Sequence, residues 1–233
     1  MNDLMHSPAF AVTLTIGVWV CALQLQRLSK VLFNPVLTST IVIITALSIL
    51  GVPYTAYRDG ASALVVLLGP AIVALAVPVR RHRRLVRAQA PALLIAVTLG
   101  SIAGIATTVL LATWLGLADA TTTALAPKHA TSAVSAAVMS VVGGSESLAA
   151  VVSILTGIIG AAIGIPLLRL LRITDPSVTG VAIGVSSHAI GTARAFDEGA
   201  TEGAMAVVGL VIAAIVVPVV IMVMLLTGLL PTG

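Results

Sequence analysis

Apolar residues along this chain come in continuous blocks rather than in alternation. Residues 8–26, 35–50, 60–79, 91–117, 148–171 and 204–230 are each almost unbroken. Crossing the hydrocarbon core of a bilayer takes roughly 20 helical residues, and these blocks approach or exceed that length. In lipid every backbone N–H and C=O must be paired within the protein, which leaves helices or a closed barrel. Barrel strands alternate apolar and polar positions, and these blocks do not. The pattern predicts an all-α integral membrane protein with six clear transmembrane helices. Two further segments, 126–142 and 180–196, are less apolar and rich in Ala, Ser, Thr and Gly. Each carries a base and a histidine, and each is expected to be a polar, interrupted or re-entrant helical segment. No linker or low-complexity run divides the series, so residues 1–233 are expected to form a single polytopic membrane domain.

Composition agrees, with 59% hydrophobic residues, 9% charged residues and a mean hydropathy of +1.17. Soluble domains are about half apolar and a quarter charged, so a soluble class is excluded. A net charge of +4 raises the question of nucleic acid. The arginines, however, are not interleaved with aromatics along a face. Arg80, Arg81, Arg83, Arg84 and Arg87 lie between two apolar blocks, the signature of a short cytoplasmic loop that also meets anionic lipid. Arg27 and Lys30 follow the first block, and Arg169 and Arg172 flank the end of the fifth. An N-outside start places the first two groups in the cytoplasm. The third joins them only if 126–142 does not cross as a simple span. Cys21, alone in an apolar block, excludes an internal disulfide and is expected to pack as a small hydrophobe. The first residues carry Asp3 and no basic cluster or small-residue cleavage site, so no cleaved signal peptide is expected.

An internal repeat emerges when the halves are slid over one another. Gly69 falls on Gly157, Pro78 on Pro166, Arg81 on Arg169, Arg84 on Arg172 and Ile102 on Ile190. Repeats of this kind occur in secondary transporters, whose substrate sites lie near the midplane on broken helices.

Two constellations carry candidate chemistry. In Pro127-Lys128-His129-Ala130-Thr131-Ser132, Pro127 suits the first turn of a helix, and a helix N-terminus favours an anion. Lys128 adds a cation. The bland alternative has Lys128 snorkelling to a headgroup and the hydroxyls bonding back to their own helix. In Ser186-Ser187-His188-Ala189-Ile190-Gly191-Thr192-Ala193-Arg194, an ionisable group at membrane depth costs roughly 2.5–3.5 kcal/mol on insertion scales and marks function. Gly191 permits a break between His188 and Arg194. Alternatively Arg194 pairs with Glu198 at i, i+4. Asn34-Pro35 and Gly69-Pro70 are further helix breaks expected to line a site, as is Gly157, while Pro78 reads as a plain kink. The spaced pairs Gly100 with Gly104, Gly160 with Gly164 and Gly180 with Gly184 mark close helix packing. His6, His82, His129 and His188 share no ligand spacing, so no metal is expected. Ser187 lacks an oriented base, so the chain is not expected to be an enzyme, and no cofactor is expected.

At these residues the sequence resembles the LrgB/CidB family of bacterial membrane proteins, whose plastid relatives include a glycolate/glycerate translocator. The resemblance covers about residues 35–218. It rests on Leu68-Gly69-Pro70-Ala71 with Ala74-Leu75-Ala76-Val77-Pro78, Pro127-Lys128 with Thr131-Ser132, Thr156-Gly157-Ile158 leading to Leu168-Arg169, and Ser187-His188-Ala189-Ile190-Gly191-Thr192-Ala193-Arg194-Ala195. It implies a multi-pass protein of the bacterial cytoplasmic (inner) membrane. The family has been described both as carriers of glycolate, glycerate or pyruvate and as holin-like regulators of murein hydrolases and lysis. It also implies an LrgA/CidA-type membrane partner and homo-oligomers. A carboxylate carrier needs a cation, hydroxyls for the substrate's OH or keto oxygen and a titratable group for proton coupling. The expected binding set is therefore Lys128, Thr131, Ser132, Ser186, Ser187, His188, Gly191, Thr192, Arg194 and Asn34, with the carrier ranked ahead of the lysis regulator.

Overall fold

The computed structural model describes residues 7–28 and 33–230, so His6 and Lys30 lie outside the described residues. Every regular element among them is helical, and the chain divides into two compact units, Met1–Ala76 and Val77–Gly233. Five helical runs are long and apolar enough to cross a membrane: Pro8–Gln26, Ser62–Arg81, Arg83–Trp114, Glu146–Leu170 and Ala200–Leu226. The protein is thus an all-helical, multi-pass membrane protein.

In the first unit, α1 (Pro8–Gln26) is capped by Ser7, whose hydroxyl accepts from the Phe10 N–H. Asn34 caps α2 (Pro35–Leu50), its Oδ1 accepting from Val36 N at 3.0 Å and Leu37 N at 3.3 Å, and Pro35 takes the first helical position, where its missing N–H is not needed. α2 has 16 residues, fewer than the roughly 20 of a simple span, which corrects the expectation of six clear transmembrane helices. The block at 60–79 is also not one helix. After α3 (Tyr54–Gly60) come α4 (Ser62–Val66) and α5 (Leu68–Ala74), and then α6 (Ala76–Arg81), which opens the second unit, with breaks at Leu67 and Leu75. Pro70 and Pro78 fall in the first turns of α5 and α6. A proline is tolerated there, but it prevents the preceding helix from running on.

The second unit is built on three long helices: α7 (Arg83–Trp114), α10 (Glu146–Leu170) and α12 (Ala200–Leu226). Between α7 and α10 lie α8 (Asp119–Leu125), a 3-10 turn (Ala126–His129) and α9 (Ser132–Val142). Ala130 is extended, at φ −88 and ψ 171, and the chain there doubles back. The Ser135 hydroxyl donates to the Pro127 carbonyl at 2.8 Å, whereas eight residues of straight helix would separate the two by about 12 Å. Ala124 and Ala126 accordingly share a core with Val138 and Met139.

The helix α11 (Pro176–Phe196) is broken at His188, at φ 40 and ψ −132. Gly191 lies against Ile183 and Ser187, and Ala195 shares a core with Ile183. The two ends of α11 meet α12 at one level, Gly180 packing on Glu202 and Met205 and Phe196 on Gly203. Both polar segments are therefore hairpins. The expected break at Gly191 is corrected to His188. Gly191 is instead the residue whose lack of a side chain lets the returning arm lie against Ser187.

Folding back resolves the arginine pattern. Arg169 pairs with Glu198, just before α12, and Leu93 near the start of α7 packs with Val181 and Met205. Met139, Ala149 and Ile221 pack together at the other end. Arg169 thus lies at the same end of this unit as Arg83, Arg84 and Arg87, so that these arginines can share one membrane face. The expected repeat pairs do not correspond, since Gly69 sits in a seven-residue helix and Gly157 within one of 25 residues. What recurs, in opposite directions, is a long helix followed by a hairpin.

Candidate functional site

The tips of the two hairpins sit on glycines in the interior of the long helices. The His129 ring lies on Gly104 of α7, where an added Cβ would stand 2.7 Å from Nε2. Nε2 is buried and has no hydrogen-bond partner among the described residues. Lys128, half-buried, forms no ion pair among the described residues. Pro127 stands in the first turn of the 3-10 segment Ala126–His129, as expected, but no free helix N-terminus is exposed there. α8 runs straight into the 3-10 turn that contains it, so Lys128 ends one helical arm. The next begins with Thr131 as cap, its hydroxyl accepting from Val134 N at 3.3 Å, and Ser132 as first residue.

At the second tip, Ser187 and His188 are buried. Ser187 packs on Gly160 and His188 on Gly157, where an added Cβ would lie 2.5 Å from Cε1. Gly157 is therefore a seat inside an unbroken helix, not a helix break. Thr192 closes the turn, its hydroxyl donating to the His188 carbonyl at 2.7 Å. The strained φ of His188 is held by these neighbours, as strain at ligand sites commonly is. Arg194 stands apart from the tip and pairs with Glu198 at 2.5 Å, leaving its Nη1 buried without a partner among the described residues. The ion-pair alternative is the one realised for this residue.

Ser153 of α10, absent from the residues expected from the sequence, ties the tips together. Its hydroxyl donates to the Ala130 carbonyl of the first tip. Its carbonyl accepts from His188 Nε2 of the second, at 2.7 Å. A hydroxyl has one proton, and Ser135 gives its own to Pro127, so the 3.4 Å approach of Ser135 to Ser153 is packing contact. Committed to a carbonyl, neutral His188 carries its proton on Nε2 and has Nδ1 left as an acceptor. The available signal was weak: a hydroxyl residue within the apolar block 148–171. In the sequence Gly104 and Gly160 mark only close helix packing.

A cavity of about 710 Å³ runs between α7 and the first arm of α11. Gln89 and Asp175 stand at the arginine-bearing end, and His129 and Ser186 beside the hairpin tips. Asp175 is partly satisfied as the cap of α11, accepting from Ser177 N and Val178 N. Ser186 faces the cavity and lies 3.1 Å from the Ser187 hydroxyl. The structure thus gathers Lys128, His129, Thr131, Ser132, Ser186, Ser187, His188, Gly191 and Thr192 at two tips joined by Ser153. Asn34, Pro35, Gly69 and Pro70 belong to the first unit. Among the described residues no three His, Cys, Asp or Glu side chains cluster as metal ligands would.

No solved structure matches this chain. Among curated proteins it is similar to the uncharacterized protein YwbG of Bacillus subtilis (strain 168), with 32% identity over 199 residues, covering 85% of this chain and 88% of the relative. The model of the LrgB-like family matches residues 15–227, with both hairpins and the helices that seat them inside the matched region. The chain belongs to the LrgB-like family.

Proposed function

We propose that this protein is a secondary carrier of small organic anions, of the glycolate, glycerate or pyruvate type, in a bacterial cytoplasmic membrane. The observation that carries the proposal is the meeting of two broken hairpins around Ser153, within the stretch of the long apolar helices, with Lys128, unpaired among the described residues, on one tip. An ammonium at that depth costs several kcal/mol unless a ligand neutralises it. Each tip also starts a returning arm, at Thr131 and after His188, and the N-termini of such half-helices attract substrate carboxylates in transporters. Serine and threonine hydroxyls supply partners for the substrate's OH or keto oxygen. Binding is the role of these side chains rather than hydrolysis, because the His188 proton is committed to a carbonyl and no described carboxylate orients the ring.

The test is uptake of labelled glycolate, lactate and pyruvate into proteoliposomes holding this chain, alone and with an LrgA/CidA-type partner. Lys128→Met keeps the stem and removes the charge. It is expected to insert and purify as the parent does and to lose uptake, with Lys128→Arg impaired less and Arg83→Gln unaffected. Uptake by Lys128→Met equal to that of the parent would remove Lys128 from the site. Dye release without carboxylate uptake by the parent would replace the carrier with a holin-like pore.

A further inference from the structure

The cavity is too large and too apolar for the smallest acids to fill. Its volume of about 710 Å³ lies in the range that holds drug-sized ligands, roughly 300–1,000 Å³, whereas a two-carbon hydroxy acid is a few heavy atoms. From Gln89 to Gly100 it follows one face of α7 for about 16 Å at 1.5 Å per residue. Leu93, Ala96 and Val97 form one wall, and Val181, Ala182 and Val185 the other. Polar groups are confined to its ends, with His129 and Ser186 beside the hairpin tips and Gln89, Asp175 and Ser177 at the arginine-bearing end. We infer that this cavity receives the aliphatic body of an amphiphilic monocarboxylate, a 2-hydroxy or 2-oxo acid with a branched or extended side chain, its carboxylate directed to the hairpin tips. The inference rests on the carrier function for its anion site and adds the substrate class.

The placement of polar groups favours this occupant over a lipid tail. A lipid tail would press hydrocarbon onto the His129 ring and the Ser186 hydroxyl. A carboxylate entering head first does the reverse. Its oxygens meet Ser186, His129 and the neighbouring Lys128 charge, and its apolar body lies between apolar walls. Each methylene placed there is worth a factor of about four in affinity, from roughly 0.8 kcal/mol per buried CH2.

The test is read as binding, so that it stands or falls separately from transport. The full chain carrying Cys21→Ala and Ala96→Cys is placed in nanodiscs of defined phospholipid. Protection of the introduced thiol from a maleimide is then titrated with glycolate, lactate, 2-hydroxybutyrate and 2-hydroxyisocaproate. The expected result is a half-protection concentration that falls about fourfold per added methylene. In the parent background, calorimetric titration of Ala96→Phe or Ala92→Phe, which fill an open wall, should flatten the series while glycolate binds as before. A flat series in the parent, a series unchanged by either phenylalanine, or protection that depends on the phospholipid and not on the acid would each overturn the inference. Proteoliposomes that bind the longer acids with the expected gradient and transport none would remove the carrier and leave the binding site standing.

Discussion

Replacing Gly157 with alanine tests the second tip most directly. The new Cβ would lie 2.5 Å from His188 Cε1, 2.9 Å from Nε2 and 3.1 Å from the Ile190 Cδ1, against about 3.5 Å or more for relaxed carbon contacts. The ring must move by about 1 Å, and His188 is only 3% exposed, with no open side to move into. Such a shift takes Nε2 from 2.7 Å of the Ser153 carbonyl to beyond hydrogen-bond range. Leaving a buried donor unpaired costs about 1–3 kcal/mol, and overpacking costs about 1–3 more. Alanine's better helix propensity returns up to about 1 kcal/mol. The net expectation is a loss of roughly 1–6 kcal/mol. Gly17 in α1 is the matched control, since a Cβ there meets nothing within 4 Å, and Gly17→Ala should be neutral or slightly stabilising. Midpoints of detergent-induced unfolding of the two purified variants give the comparison. Equal midpoints, with carboxylate uptake intact in Gly157→Ala, would refute the pinning of His188 between Gly157 and Ser153.

Ser153→Ala leaves the Ala130 carbonyl, 1% exposed, without its donor. It is expected to lower stability by about 1–3 kcal/mol. Thr156→Val removes a hydroxyl that bonds only within its own helix, to the Val152 carbonyl, and should cost far less in the same assay. Glu198→Gln strips the carboxylate from both Arg169 and Arg194 and should lower the unfolding midpoint more than Asp59→Asn, whose pair with Arg58 is largely exposed; similar midpoints would show that the two-arginine contact contributes no more than a surface pair. Single cysteines in a Cys21→Ala background test the hairpins. Ala118→Cys and Ser147→Cys flank the first and should react with an impermeant reagent from one side of the membrane, while Thr174→Cys and Asp197→Cys flank the second and should react from the other. Opposite sides for either pair would mean that the segment crosses.

The sequence by itself determined the solvent, the helical class and the family. Long apolar blocks in a chain with 9% charged residues admit little else, because unpaired backbone groups cannot face lipid. It also singled out the two polar segments, since Lys128, His129, His188 and Arg194 are costly wherever they lie at membrane depth. Tertiary structure alone decided how those segments run. The break fell at His188 rather than Gly191, and the turn of the first hairpin came after the 3-10 turn holding Pro127, because the tips are set by what they rest on: Gly104, Gly157 and Gly160 on helices distant in sequence. The role of Ser153 is illegible in the sequence for the same reason. Its two partners, Ala130 and His188, are 23 and 35 residues away, and a hydroxyl in an apolar helix looks the same in sequence whether it bonds to its own backbone, as Thr156 does, or ties two hairpins together. Pairings of that kind depend on which helices pack side by side, and hydrophobic periodicity along one helix carries no record of its neighbours.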